Sequence, residues 1–240
     1  MNHKLDVLVF AVHPDDAELG CAGTILKLIA QGKKVGIVDL TRGELGSRGT
    51  PELRAEEAAA ASRVLGIHVR ENLGYRDGFF QNDEAHQRGI IRMIRKYRPE
   101  VVIAGAPFDR HPDHGRSSAL VRDAAFYSGL AKIKTELDED SQEAWRPKRL
   151  FYYIQDHPLT PDFVVDISPY WEGKLDAIRA FGSQFYNPDF DGPETYISNR
   201  DFWHWLEGRA RNMGHMTGAT FGEGFISDRP LAVNSPLDLV

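Results

Sequence analysis

The strongest constraint on this chain is a repeated alternation. Four short apolar runs are each followed by a stretch with helical spacing, and together they fill roughly the first 130 residues. Leu5 to Val12, Val35 to Leu40, Val69 to Leu73 and Val101 to Ala106 read as strands. Glu18 to Ala30, Pro51 to about Gly66, Glu84 to Tyr97 and Arg116 to Tyr127 read as helices. Thr50 and Pro51 are an N-cap and a first-turn proline, and Pro99 stops the third helix. Strand–helix–strand units of this length connect in the right-handed sense. The expected fold is therefore α/β: a Rossmann-like, mostly parallel sheet with helices on both faces. A length of 240 residues suits one domain, a regular core over 1–130 completed by a less regular segment over 131–240. In that segment Leu150 to Ile154 and Phe163 to Ile167 read as strands, Pro169 to Phe181 and Asn199 to Met213 as helices, and Lys134 to Lys148 as an exposed excursion.

Ligands of open α/β sheets bind beyond the carboxyl ends of the strands. Two of the strand-like runs end in metal-ligand chemistry. The first runs into His13-Pro14-Asp15-Asp16-Ala17-Glu18, the fourth into Asp109-Arg110-His111-Pro112-Asp113-His114. Imidazole and carboxylate suit Zn²⁺, and also Fe²⁺ and related ions. Two histidines and one carboxylate leave coordination positions open for water and substrate, and a neighbouring unligated carboxylate can accept a proton. Asp15 and Asp16 are adjacent on an irregular turn, so one can ligate while the other serves as base. Either segment alone is an ordinary turn sequence; the pair at two strand ends points to a site.

Charge and cysteine content narrow the classes further. A net charge of −6 argues against nucleic acid or an anionic membrane as partner. The lone Cys21 cannot form an internal disulfide and reads as buried and inert. The polar start, Met1 to Asp6, and the lack of any apolar run of spanning length predict a cytoplasmic protein. Gly43, Gly46 and Gly49 do not have dinucleotide or phosphate-loop spacing and predict a loop at the site mouth. Phe202, Trp203 and Trp205 read as helix burial or a subunit interface.

The stretches AVHPDDAELGCAGT, VGIVDLTRGELGSRGT, ELRAEEAAAASRVLG, DRHPDHG and GEGF resemble the LmbE-like, or PIG-L-like, N-acetylglucosamine deacetylases, from Val7 to Phe225. The likeness is nearest to the branch that deacetylates N-acetylglucosaminyl malate in bacillithiol biosynthesis. It implies one zinc ion per subunit held by His13, Asp16 and His114. It also implies Asp15 as general base, His111 at the reacting centre and Asp113 orienting His111. Arg54, Arg110 and Arg149 would then meet a small anionic amino-sugar substrate. Glu18 would hold a sugar hydroxyl or cap its helix. Phe202 stands near the position where some members carry a tyrosine at the carbonyl oxygen, so either Tyr196 substitutes there or Arg149 and His111 carry that role alone. Members of the family form homo-oligomers, hexamers among them. The same machinery would serve another N-acetylglucosamine conjugate or a bacillithiol-conjugate amidase. A non-catalytic metal-binding protein is the reading from outside the enzymes.

Overall fold

The computed structural model describes residues 4–239; Met1 to His3 of the polar start, and Val240, lie outside the described residues. The elements in chain order are β1 (Val7–Ala11), α1 (Asp16–Ala30), β2 (Val35–Thr41), α2 (Pro51–Leu65), β3 (Val69–Tyr75), α3 (Glu84–Tyr97), β4 (Val101–Gly105) and α4 (Pro112–Tyr127). They continue with the two-residue strands β5 (Glu136–Leu137) and β6 (Asp140–Ser141), then β7 (Arg149–Tyr153), β8 (Phe163–Asp166), α5 (Trp171–Arg179), α6 (Asp201–His215) and β9 (Gly222–Ser227). Seven strands form one sheet in the order β3-β2-β1-β4-β7-β9-β8. The pairings from β3 through β7 are parallel, and β9 is antiparallel to both neighbours. The mostly parallel α/β reading holds. The strand β9, which contains GEGF, was not foreseen, because a run with two glycines has little strand character.

Strand alternation sorts the core into two layers. Leu8, Phe10 and Val12 pack with Ile90, Ile94, Leu120 and Val121 of α3 and α4. Val7, Val9 and Ala11 face Cys21, Ala22 and Ile25 of α1. A further cluster joins Ala58 and Ala61 of α2 to Trp171, Ile178, Phe202 and Leu206 of α5 and α6. Local signals explain several boundaries. The Thr50 hydroxyl accepts from the Leu53 N–H at 3.2 Å, and Gly66 closes α2 in the left-handed conformation. No helix among the described residues is long and apolar enough to cross a membrane.

The first helix is broken at Cys21 (φ −147°, ψ 22°). The break frees the N–H groups of Gly23 and Thr24, which donate to the Glu223 carboxylate of β9 at 3.0 and 2.7 Å. The Leu19 carbonyl accepts from Lys174 Nζ at 2.8 Å and from Arg209 Nη2 at 2.7 Å. Lys174 and Glu223 pair at 2.6 Å, with Lys174 only 1% exposed. Removing one member of a buried pair leaves an uncompensated charge, so Lys174→Met is expected to cost about 3–5 kcal/mol. Denaturant unfolding measures this; a loss below about 1 kcal/mol, the scale of an exposed pair, would contradict the buried-pair account.

Candidate active site

The sheet order reverses between β1 and β4, the crevice where open α/β sheets bind ligands. Both His-Pro-Asp segments follow these two neighbouring strands, so residues a hundred positions apart meet. His13, Asp16 and His114 offer one ligand atom each within 4.8 Å of one another. His13 Nδ1 lies 3.3 Å from Asp16 Oδ2, and His114 Nε2 lies 3.3 Å from Asp16 Oδ1.

The remaining nitrogen of each imidazole faces a carboxylate. His13 Nε2 is 2.9 Å from Asp77 Oδ1, and His114 Nδ1 is 2.8 Å from Asp109 Oδ2. Carboxylates placed behind ligating histidines fix the tautomer and leave the inward nitrogen free to bind metal. Gln155 Nε2 holds Asp16 Oδ1 at 2.7 Å. Burial alone would strip the proton from His13, but its bonds to Asp16 and Asp77 reverse this and hold its pKa at about 10. Burial opposes charge on His114 too, and Asp16 with Asp109 raises it to about 9. Burial would raise Asp16, yet His114 and His13 hold it well below the carboxylate range. A pocket that attracts two protons onto two imidazoles is one where a dication can replace them. The donor set therefore fits a divalent ion.

Asp15 turns the other way. Its φ of 139° lies in a region that side-chain-bearing residues rarely enter, a local strain of about 1–3 kcal/mol. The unusual backbone separates two adjacent carboxylates: Asp16 meets the imidazoles, and Asp15 Oδ2 accepts from Arg54 Nη1 at 3.1 Å. Arg54 also donates to the Pro14 carbonyl at 2.9 Å. Arg54 is buried on α2 in the cavity wall. Burial raises the Asp15 pKa and Arg54 partly offsets it, leaving it at about 7.

His111 caps α4, and its Nδ1 accepts from the Asp113 N–H at 3.3 Å. That assigns the ring proton to Nε2. Burial, then the charges of His13 and His114, lower its pKa, so the ring is neutral near pH 7. The helix begins four residues before the expected Arg116, because the His111 cap and Pro112 at the first position start it early.

Three of the expected positions need correction. The Asp113 carboxylate accepts from the Gly78 N–H and Arg116, so His111 is oriented by the Asp113 amide and not by its side chain. Glu18 follows Asp16 by two residues, about 200° around the helix, and so points away from the imidazoles. It is buried against Arg70 at 2.6 Å, which also binds Asp39, and neither caps α1 nor lines the cavity. Arg149 opens β7 in register with Val101, the first residue of β4. It therefore lies at the amino edge of the sheet, about 13 Å of strand from the site.

The cavity above the imidazoles measures about 390 Å³. Its walls include the loop of Gly43, Leu45, Gly46 and Ser47, as its glycines predict. Arg110 and Tyr196 stand at one side and both bind Asp156, at 2.7 and 2.9 Å, with the guanidinium stacked over the tyrosine ring. Phe202 is buried, and Tyr196 is the aromatic that reaches the cavity. Asp77 and Gln155 were missed and Asp109 had no role in the sequence reading. Asp77 and Gln155 follow β3 and β7 by two residues, so position at a parallel strand's carboxyl end was the available signal.

The PIG-L (GlcNAc-PI de-N-acetylase) family model matches residues 8–125. Diacetylchitobiose deacetylase of Thermococcus kodakarensis is 30% identical over 93% of this chain and 83% of its own. The probable N-acetyl-alpha-D-glucosaminyl L-malate deacetylase 2 of Bacillus anthracis is 30% identical over 77% of this chain and 84% of its own. The crystal structure of the conserved protein TT1542 from Thermus thermophilus superposes with a TM-score of 0.86, at 39% identity, covering 97% of this chain and 98% of the other. With its HPDD and HPDH segments at the switch point of the sheet, the chain belongs to the PIG-L/LmbE-like deacetylase family.

Proposed function

We propose that the protein is a zinc-dependent N-deacetylase of a small N-acetylglucosamine-containing glycoside, releasing acetate and the free amine. The observation that carries this is a carboxylate set apart: Asp15 lines the cavity beside the His13–Asp16–His114 seat, is not one of its three ligand groups, and is held by Arg54. A protein that only binds metal has no use for a strained, separately anchored base.

A divalent ion at the seat supplies a Lewis acid for the acetamide carbonyl and lowers the pKa of water. The chain's own groups supply the rest. Asp15 accepts a proton from the attacking water as its oxygen bonds to the carbonyl carbon. His111, protonated on Nε2, donates to the oxygen on which charge develops. Asp15 then returns its proton to the sugar nitrogen as the C–N bond breaks. Arg54 holds Asp15 in place throughout.

Within this class, the cavity favours a neutral second sugar over malate. Arg54 is matched by Asp15 and Arg110 by Asp156, and Arg149 lies at the other edge of the sheet. The exposed large apolar side chains at the mouth are Leu45, 61% exposed, and Tyr196, 49% exposed, which suit the flat face of a pyranose. The Thermococcus relative acts on diacetylchitobiose and the Bacillus relative on a malate conjugate, so both remain substrates to test.

The experiment loads the apoprotein with Zn²⁺, Fe²⁺, Co²⁺ or Mn²⁺. It compares diacetylchitobiose, N-acetylglucosaminyl malate and N-acetylglucosamine by released amine. The expected result is highest kcat/KM for the disaccharide with zinc. Preference for the malate conjugate would reverse the substrate order, and no amine released from any of them would end the deacetylase reading.

A further inference from the structure

A small recess of about 20 Å³ adjoins the cavity, sharing Leu19, His111, His114 and Gln155 with it, and its other walls include Asp156, Trp205 and Arg209. Two atoms of its wall residues are buried and lack a partner: Gln155 Oε1, an acceptor, and Arg209 Nη1, a donor. The rest of each group is engaged. Gln155 Nε2 holds Asp16, Arg209 Nη2 holds the Leu19 carbonyl, and the guanidinium lies 4.9 Å from the Trp205 ring centroid. Buried polar groups in folded proteins are almost always satisfied, by water where no protein group reaches. A donor and an acceptor beside one space of this size have the makings of a single-water site.

We infer that this recess is the acyl end of the active site, and that a water bridging Gln155 Oε1 and Arg209 Nη1 closes it beyond one methyl group. Arg209 is then a specificity-determining residue. The inference rests on the amide-hydrolase reading above. An amide carbonyl carries two substituents. A pyranose cannot enter 20 Å³, so the sugar nitrogen lies on the side of the 390 Å³ cavity and the acyl carbon faces the recess. An acetyl methyl stops short of the water. A propionyl or butyryl chain evicts it and strands both polar atoms, a penalty of roughly tenfold or more in rate.

The test measures kcat/KM for N-acetyl-, N-propionyl- and N-butyryl-glucosamine with zinc-loaded protein. Wild type is expected to lose roughly tenfold or more from acetyl to propionyl. Arg209→Met keeps an unbranched stem beside Trp205 but has no donor to strand, so the acetyl-to-propionyl ratio is expected to shrink severalfold. A general loss of structure would lower both rates and leave the ratio. A wild-type ratio within twofold, or an unchanged ratio in the variant, overturns the inference while deacetylation of the acetyl compound leaves the function standing. Should Arg209→Met not fold, a wild-type crystal structure decides: a water within hydrogen-bond distance of both atoms supports the inference, and a dry recess overturns it. Absence of amine release from every member of the series overturns the inference, and absence from diacetylchitobiose and N-acetylglucosaminyl malate as well removes the function with it.

Discussion

Asp15→Asn lowers kcat by about 10²–10⁴-fold, the range for losing a general base, while the protein keeps a full complement of metal. The two readouts separate because the two carboxylates are separated. Asp16 sits between the imidazoles, whereas Asp15 is held by Arg54 and shares no hydrogen bond with His13 or His114. Asparagine has nearly the same shape and can still accept from Arg54, but it cannot take a proton at neutral pH. Metal content by atomic absorption and kcat on the acetylated substrate check the pair of expectations. Full activity in the variant would move the base elsewhere, and loss of metal would make Asp15 a ligand. The pH profile carries a related expectation. Asp15 must be ionised to act, so activity rises with pH through its pKa. That pKa is about 7 with burial as the leading cause, and a bound dication favours the carboxylate. The acid limb of kcat/KM is therefore expected below pH 7.

His114→Ala is expected to lose metal and activity together, and Asp109→Asn to weaken metal binding by about 10–100-fold without abolishing it. His114 presents Nε2 to Asp16 and leans on Asp109 through Nδ1. Alanine deletes a ligand. Asparagine removes the charge behind it and leaves the imidazole free to turn. Chelator competition measures both affinities. Stoichiometric metal in His114→Ala would refute the ligand set, and an Asp109→Asn affinity equal to wild type would show that the imidazole needs no support from behind. The same measurement on Asp77→Asn tests the matching contact behind His13.

Much of this site was legible because its chemistry is concentrated at two strand ends. Ligand-type residues within HPDD and HPDH are local in sequence, and the apolar runs before them are unambiguous strands. The Gly43–Gly49 loop was legible for a similar reason, since its glycine spacing excluded a phosphate cradle. Arg149 and Glu18 were misplaced for geometric reasons. A residue that precedes a parallel strand lies at the edge opposite the site, and a residue two positions along a helix faces away. Both facts follow from element geometry once the elements are located, but neither is visible as a residue type. Asp113 was misread because its amide and its carboxylate do different work, which depends on where α4 begins. Gln155 and Asp77 are isolated polar residues in ordinary loops, with nothing around them in the chain to mark them.

The sequence by itself determined the α/β alternation, the ligand types and the pairing of a metal seat with a spare carboxylate, because period, capping and local motifs are properties of neighbouring residues. Only the tertiary structure decided that β1 and β4 are adjacent, that Asp77 and Asp109 stand behind the imidazoles, and that Glu223 from the last strand caps the break in the first helix. Those contacts join residues 5 to 200 positions apart and depend on strand order and on burial. Ion pairing and proton affinity are set by what lies within a few ångströms in space, whatever the distance along the chain.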